Sequence, residues 1–286
     1  MAYKNLLVLL DTDQSARERI STVAALAARF DAHLAGLYAT VLPECASEGD
    51  SFALIDFGLV NILYRQANEA VREDAELARG LFEDIAARHS VSTEWRFASG
   101  YPADLAAIHG RYADLIILGQ LDPQQPEARM LRLRPRPEEV AMLAGRPVLV
   151  VPYAGHFERI GGRVLIGWDA SREAARAVSD AMPLLVMADA VTVLTIDAEQ
   201  TPQGHGEIPG ADIALYLAHH GVKAEVERTV SAGIGIGNTL LSRAADFGAD
   251  LLVMGAYGHS RVRELLLGGA TRSVLTSMTL PVLMSH

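Results

Sequence analysis

The chain has 286 residues, half of them hydrophobic and 21% charged, with a net charge of −10. That length supports one large or two ordinary domains with well-buried cores, and the acidity excludes generic nucleic-acid binding, which needs a concentrated basic surface. A single cysteine, Cys45 in a loop-like stretch, excludes a disulfide framework or a cysteine-rich metal site, and no window approaches the roughly 18 apolar residues of a membrane span.

In chain order, the first apolar run, NLLVLL, ends at Asp11. It is too short for the core of a secretion signal, so a cytoplasmic location is expected. The patterning predicts strands near 5–10, 33–39, 92–98, 115–119 and 147–151, with helices near 15–30, 59–89, 102–111 and 136–144. The long second helix carries apolar residues at helical spacing with Glu and Arg between them. The polar, glycine-containing stretch YAGHFERIGG, residues 153–162, reads as a linker. Beyond it, strands are expected near 163–168, 190–196, 223–229, 251–254 and 281–285. Helices are expected near 171–187, 211–220, 236–247 and 269–277.

The second set repeats the first. Asp11 and Asp169 both end a leading apolar run, ADLIILG ending at Gly119 matches ADLLVMG ending at Gly255, and RPVLVVP matches LPVLMSH. Two α/β units are therefore expected, at 1–153 and 162–286. Continuous apolar strands such as LIILG suit sheets covered by helices on both faces, so each unit is expected to be an open parallel five-stranded sheet. The terminal strands, 148–151 and 282–284, are exposed edges whose mutual pairing would make an intramolecular pseudo-dimer. A homodimer of the whole chain is an additional expectation.

Ligands of such sheets sit beyond the strand C-termini where strand order reverses. In the second unit that places Asp169 near the segment after Gly255, AYGHSRVRELLLGG. Glycines there permit positive φ or close approach to an anion, and a following helix presents N–H groups. Ser260 and Thr271 add hydroxyls, and His259 follows Gly258 directly. On spacing alone, a phosphate cradle and a plain turn are equally good readings, because the segment is neither a P-loop nor a GxGxxG fingerprint. The first unit has no such segment. After Gly119 it reads QLDPQQPEARMLRLRPRPEEV, acidic at Asp122, Glu127, Glu138 and Glu139, so that unit is expected to be nucleotide-free. Its basic run, 129–136, reads as a solvated loop or interdomain contact.

The whole chain resembles a tandem universal stress protein of two UspA-type units. The family signature, Gly-x2-Gly-x9-Gly-Ser/Thr, is matched by Gly255, Gly258 and the pair Gly268-Gly269, with Pro281-Val282 opening the last strand. The resemblance implies a Rossmann-like α/β fold. It also implies ATP, with or without Mg²⁺, held by Asp169, Ser171, Ile196, Gly255, Gly258, His259, Ser260, Gly268, Gly269, Ala270 and Thr271. Gly269 stands where a Ser or Thr is expected, which removes a hydroxyl contact worth about 1.5–3 kcal/mol. Thr271 is a partial replacement that points elsewhere, because each helical step turns by about 100°.

His219 and His220 are adjacent and diverge on a helix, and His205 and His259 have no acidic or histidine partner at i+3 or i+4, so no structural metal is expected. The segment SAGIGIGN, residues 231–238, lines the site or leads into a helix capped near Asn238. No nucleophile, base and orienting group stand at recognisable spacing. Together with the resemblance, which implies a stress-response protein, this gives the expected function as non-catalytic binding of an adenine nucleotide in the second unit. The alternatives are a slow ATP-hydrolysing or phosphate-transferring enzyme and a nucleotide-free interaction scaffold.

Overall fold

A computed structural model describes residues 2–42, 57–122, 134–198, 209–256 and 269–286, with residues 57–60 described by backbone alone. Ten strands form one sheet in the order β3-β2-β1-β4-β5-β10-β9-β6-β7-β8. The first half contributes β1 (Asn5–Leu9), β2 (His33–Thr40), β3 (Thr93–Ser99), β4 (Leu115–Gly119) and β5 (Val148–Val151). The second contributes β6 (Arg163–Gly167), β7 (Ala190–Ile196), β8 (Ala224–Thr229), β9 (Leu251–Gly255) and β10 (Val282–Ser285). Each half has its leading strand in the centre, so the strand order reverses between β1 and β4 and again between β6 and β9.

All pairings are parallel except the one at the centre. There β5 and β10 run antiparallel, with Val150 opposite Val282 and Val148 opposite Met284. Instead of two separate sheets, the halves therefore make one continuous sheet. Seven buried apolar positions at this seam explain the attraction of these edges, because VLVV and VLM have no charge to repel a partner. The outer strands differ. β3 carries a Glu94–Arg96 pair at 2.8 Å and β8 carries Glu225, Glu227 and Arg228, which blunt both remaining edges.

The described helices are α1 (Ala16–Phe30), α2 (Phe57–Arg88), α3 (Pro102–Gly110), α4 (Pro137–Ala144), α5 (Arg172–Leu185), α6 (Ala211–His219), α7 (Ile236–Asp246) and α8 (Ala270–Ser277). The two cores assign them to layers. One joins α1, α2, α5 and α6 to one sheet face through residues such as Ile20, Phe82, Val178 and Leu217. The other joins α3, α4, α7 and α8 to the opposite face through Ala106, Val140, Leu240 and Val274. Helix α7 starts at Ile236 after Gly235 and has no side-chain cap. Asn238 is therefore inside its first turn instead of capping it, and donates to the Ile234 carbonyl at 2.9 Å.

The linker stretch is fastened to α1. Phe157 O accepts from Thr22 at 3.2 Å, Ile160 O accepts from Arg29 at 2.7 Å, and His156 meets Glu18 at 2.7 Å. Tyr3 bridges the halves from the other side by donating to the Asp180 carbonyl at 2.6 Å.

The repeated Ala-Asp-Leu triplet has a structural cause. Asp114 accepts from the backbone N–H groups of Lys4 (2.7 Å) and Asn5 (2.9 Å), tying the start of β1 to β4. Asp250 does the same for β6, accepting from Gly161 (2.7 Å), Gly162 (2.9 Å) and Arg163 (3.2 Å). Asp250→Asn keeps one acceptor but loses the charge, so we expect a loss of about 1–2 kcal/mol in urea unfolding. An unchanged midpoint would refute this role.

Candidate functional site

In the second half, β6 lies between β7 and β9, with Gly167 opposite Leu194 on one side and Met254 on the other. The C-terminal ends of these three strands carry Asp169, Ile196 and Gly255, so the topology brings these expected residues to one sheet edge. Ile196 is half-buried against the core beneath α7 and α8. Asp169 is exposed, and Ala170 after it takes a left-handed conformation (φ 59°). This turn lets Asp169 accept from Ser171 N–H at 3.0 Å and leaves the rest of its carboxylate to solvent.

Ser171 has another task. Its hydroxyl oxygen accepts from Ala174 N–H at 3.1 Å, capping α5, and the residue is 3% exposed. Its side chain is thus committed to the helix.

Gly255 is glycine for a reason the sequence reading missed. It is a strand residue and not one of the glycines with positive φ. A Cβ there would lie 2.6 Å from Ala174 N and 2.8 Å from the Glu173 carbonyl carbon. Close packing of the β9 end on the first turn of α5 therefore demands glycine. Glu173 is buried beside it. Burial pushes its carboxyl upward, but Arg172 and a backbone N–H hold it below the usual carboxylate range.

Gly269, Ala270 and Thr271 open α8, which has no side-chain cap. Its first helical bond runs from Ser273 N–H to Gly269 O at 3.1 Å, so the N–H groups of the preceding turn point out of the helix end. Thr271, in the first turn, is 2% exposed. The expected contacts at Gly258, His259, Ser260 and Gly268 lie outside the described residues. Among the described residues no group of three or more His, Cys, Asp or Glu side chains could hold a metal ion, and no helix is long and apolar enough to cross a membrane.

The corresponding place in the first half is filled by its own side chains. Arg19 is 2% exposed, and its guanidinium meets Asp11 at 2.6 Å and Asp13 at 3.7 Å. A Cβ on Gly119 would lie 3.0 Å from that guanidinium carbon, so here glycine makes room for an arginine. Arg134 adds a second cation, 2.7 Å from Asp13 and 3.8 Å from Asp11. Burial alone would raise the Asp13 carboxyl, but Arg19, Ser15 and Arg134 hold it below the ordinary value of 3.8. Arg134 was expected in a solvated loop or interdomain contact, yet it pairs within its own half. Arg19 was not singled out because an arginine on a helix usually reads as a solvated face. The only signal was that the repeat places Ala177 at its position in α5.

Residues 162–286 match the family model described as the universal stress protein family. That match spans the second half of the chain. A universal stress protein from Synechocystis sp., Slr1230, is 31% identical over 172 residues, covering 59% of this chain and 57% of that protein. The chain thus spans little more than half the length of this curated relative. Among solved structures, a universal stress protein from Archaeoglobus fulgidus is 16% identical with a TM-score of 0.72, covering 98% of this chain and 94% of that one. A protein of unknown function from Pseudomonas aeruginosa is 17% identical with a TM-score of 0.55, covering 99% and 92%. At such identities the two structures establish the α/β fold over both halves. Both halves thus carry a strand-end glycine and aspartate, and in the first half these lie against an ion-pair cluster.

Proposed function

We propose that the chain is a non-catalytic stress-response protein that binds an adenine nucleotide, ATP, at the strand ends of its second half. The asymmetry between the two crevices supports this reading most directly. In the first, Arg19 and Arg134 neutralise Asp11 and Asp13 and occupy the space. In the second, Ala177 replaces the arginine, Asp169 is exposed, and the α8 N-terminus has no side-chain cap. A carboxylate that can accept from a ribose or an adenine amine then faces a helix end suited to phosphate. Mg²⁺ would arrive on the phosphates. The first half acts as a nucleotide-free partner unit, and we take 1–153 and 162–286 as the two units. The reading implies a cytoplasmic protein, where ATP is available. A homodimer of the whole chain would have to use β3, β8 or a helical face, since β5 and β10 are already paired.

The test is mass spectrometry of the denatured purified protein for co-purified nucleotide, followed by ATP calorimetry on wild type and Asp169→Asn. The exposed Asp169 can be changed without disturbing the core, and asparagine retains an acceptor for Ser171 N–H. We expect adenine nucleotide in the wild type and about 10-fold to 100-fold weaker binding in the variant, the loss of one hydrogen bond to a charged group. No nucleotide in the preparation and no heat at millimolar ATP would overturn the reading in favour of a scaffold. Steady ADP release from ATP and Mg²⁺ would favour a slow hydrolase.

A further inference from the structure

Gln120, the residue after β4, belongs to the first half but spends its side chain on the second. It is 4% exposed, and its Nε2 donates to the carbonyls of Leu275 at 2.9 Å and Thr276 at 3.2 Å, in the last turn of α8. The other end of the amide is also engaged, with Oε1 accepting from Tyr153 N–H at 3.4 Å. Its backbone N–H donates to Val151 O at 2.8 Å, which fixes the residue to the end of β5.

The last four carbonyls of a helix have no partner within it, and Gln120 supplies donors to two of them. This matters more for α8 than for a longer helix. Eight residues are far too few for a helix to be stable alone, and α8 has no side-chain cap at its start and no basic residue in its last turn. Besides the core contact of Val274 in its middle, it is closely packed at the opposite end. A Cβ on Gly237 of α7 would lie 2.7 Å from both Ala270 O and the Ser273 Cβ, so α7 clamps the first turns. Helix α8 is thus held at its start by its own half and at its end by the other half. At the matching position of the second half stands Ala256, which has no donor side chain to make the same bridge in reverse.

We propose that Gln120 is a positioning residue for the second half's site. By holding the C-terminal end of α8, it keeps the N-terminal turn at Gly269–Thr271 aimed at the strand-end crevice. A half that binds no nucleotide itself then sets the nucleotide affinity of its neighbour. The inference rests on the proposed ATP site.

Two variants test it. Gln120→Glu is isosteric but places an anionic acceptor against two carbonyls, and Gln120→Met removes the donor without adding charge. Hydrogen exchange of α8 amides in nucleotide-free protein and ATP calorimetry at 25 °C are measured on both, far below unfolding, where lower global stability does not alter the affinity of folded protein. We expect Gln120→Glu to speed exchange in α8 and weaken ATP binding, each by roughly tenfold. Gln120→Met should fall between it and the wild type, and α4 should be unchanged. Unaltered α8 exchange in both variants, or faster exchange with wild-type ATP affinity, overturns the inference alone. A wild type that binds no ATP overturns the nucleotide reading, and the positioning role with it.

Discussion

Arg19→Met should destabilise the protein by about 3–5 kcal/mol at pH 7, the usual cost of leaving a buried charge without its partner. Methionine fills much of the same volume, so the loss isolates the charge from the packing. Asp13, with a side chain 6% exposed, would keep Arg134 at 2.7 Å as its cation beside the Ser15 hydroxyl, and Asp11 would lose its closest cation. The pH dependence gives a second check. In the wild type the Asp13 carboxyl titrates below its ordinary 3.8, chiefly through Arg19 working against burial. A depressed folded value adds stability above the unfolded value, near pH 4, and that contribution is lost as the pH falls through the folded value. The gap between wild type and variant should therefore be widest near neutral pH and narrow on acidification below about pH 4. Urea unfolding at several pH values measures it, and a pH-independent gap would show that the arginine acts by packing alone.

Gly255→Val should be the other severe substitution, costing about 3 kcal/mol or more and lowering the yield of folded protein. The first added carbon would lie 2.6 Å from a backbone nitrogen of α5, which no rotamer can avoid, and the remaining carbons would press further into that turn. The expected result is an early thermal transition with or without ATP. A stable variant that merely fails to bind ATP would reverse this conclusion and return Gly255 to a role in ligand approach. The distinction bears on any use of this glycine as a binding knock-out, since the protein would lose the site by losing the packing beneath it. Asp169→Asn is the cleaner probe.

Much of the fold is legible in the sequence because its central strands are short, buried on both faces and nearly free of polar residues. Runs such as LLVLL, LIIL and LLVM leave little choice but a covered parallel sheet, and the repeated order of the runs gives the topology twice. The uncharged VLVV and VLM edges even identify the central pairing. The site is less legible, since its residues depend on contacts between elements far apart in the chain. Gly255 looks like part of a loop signature, yet its neighbour is the backbone of α5, about eighty residues earlier. Arg19 follows the polar rhythm of an amphipathic helix and is nonetheless buried, because two aspartates from the β1 turn come to meet it. The repeated Asp114 and Asp250 are visible as letters, but their purpose shows only when the strand starts lie beside them.

The antiparallel seam has a consequence for how the two halves can change. If the same sheet were assembled from two identical copies, every substitution would appear at both crevices, and assembly would weaken on dilution. Here the pairing of β5 with β10 is within one chain, so it is insensitive to protein concentration. Each crevice can then accumulate its own substitutions. One half is free to exchange an open pocket for a salt-bridged cluster and to lend Gln120 across the seam, while its covalent neighbour keeps an exposed aspartate and an uncapped helix end.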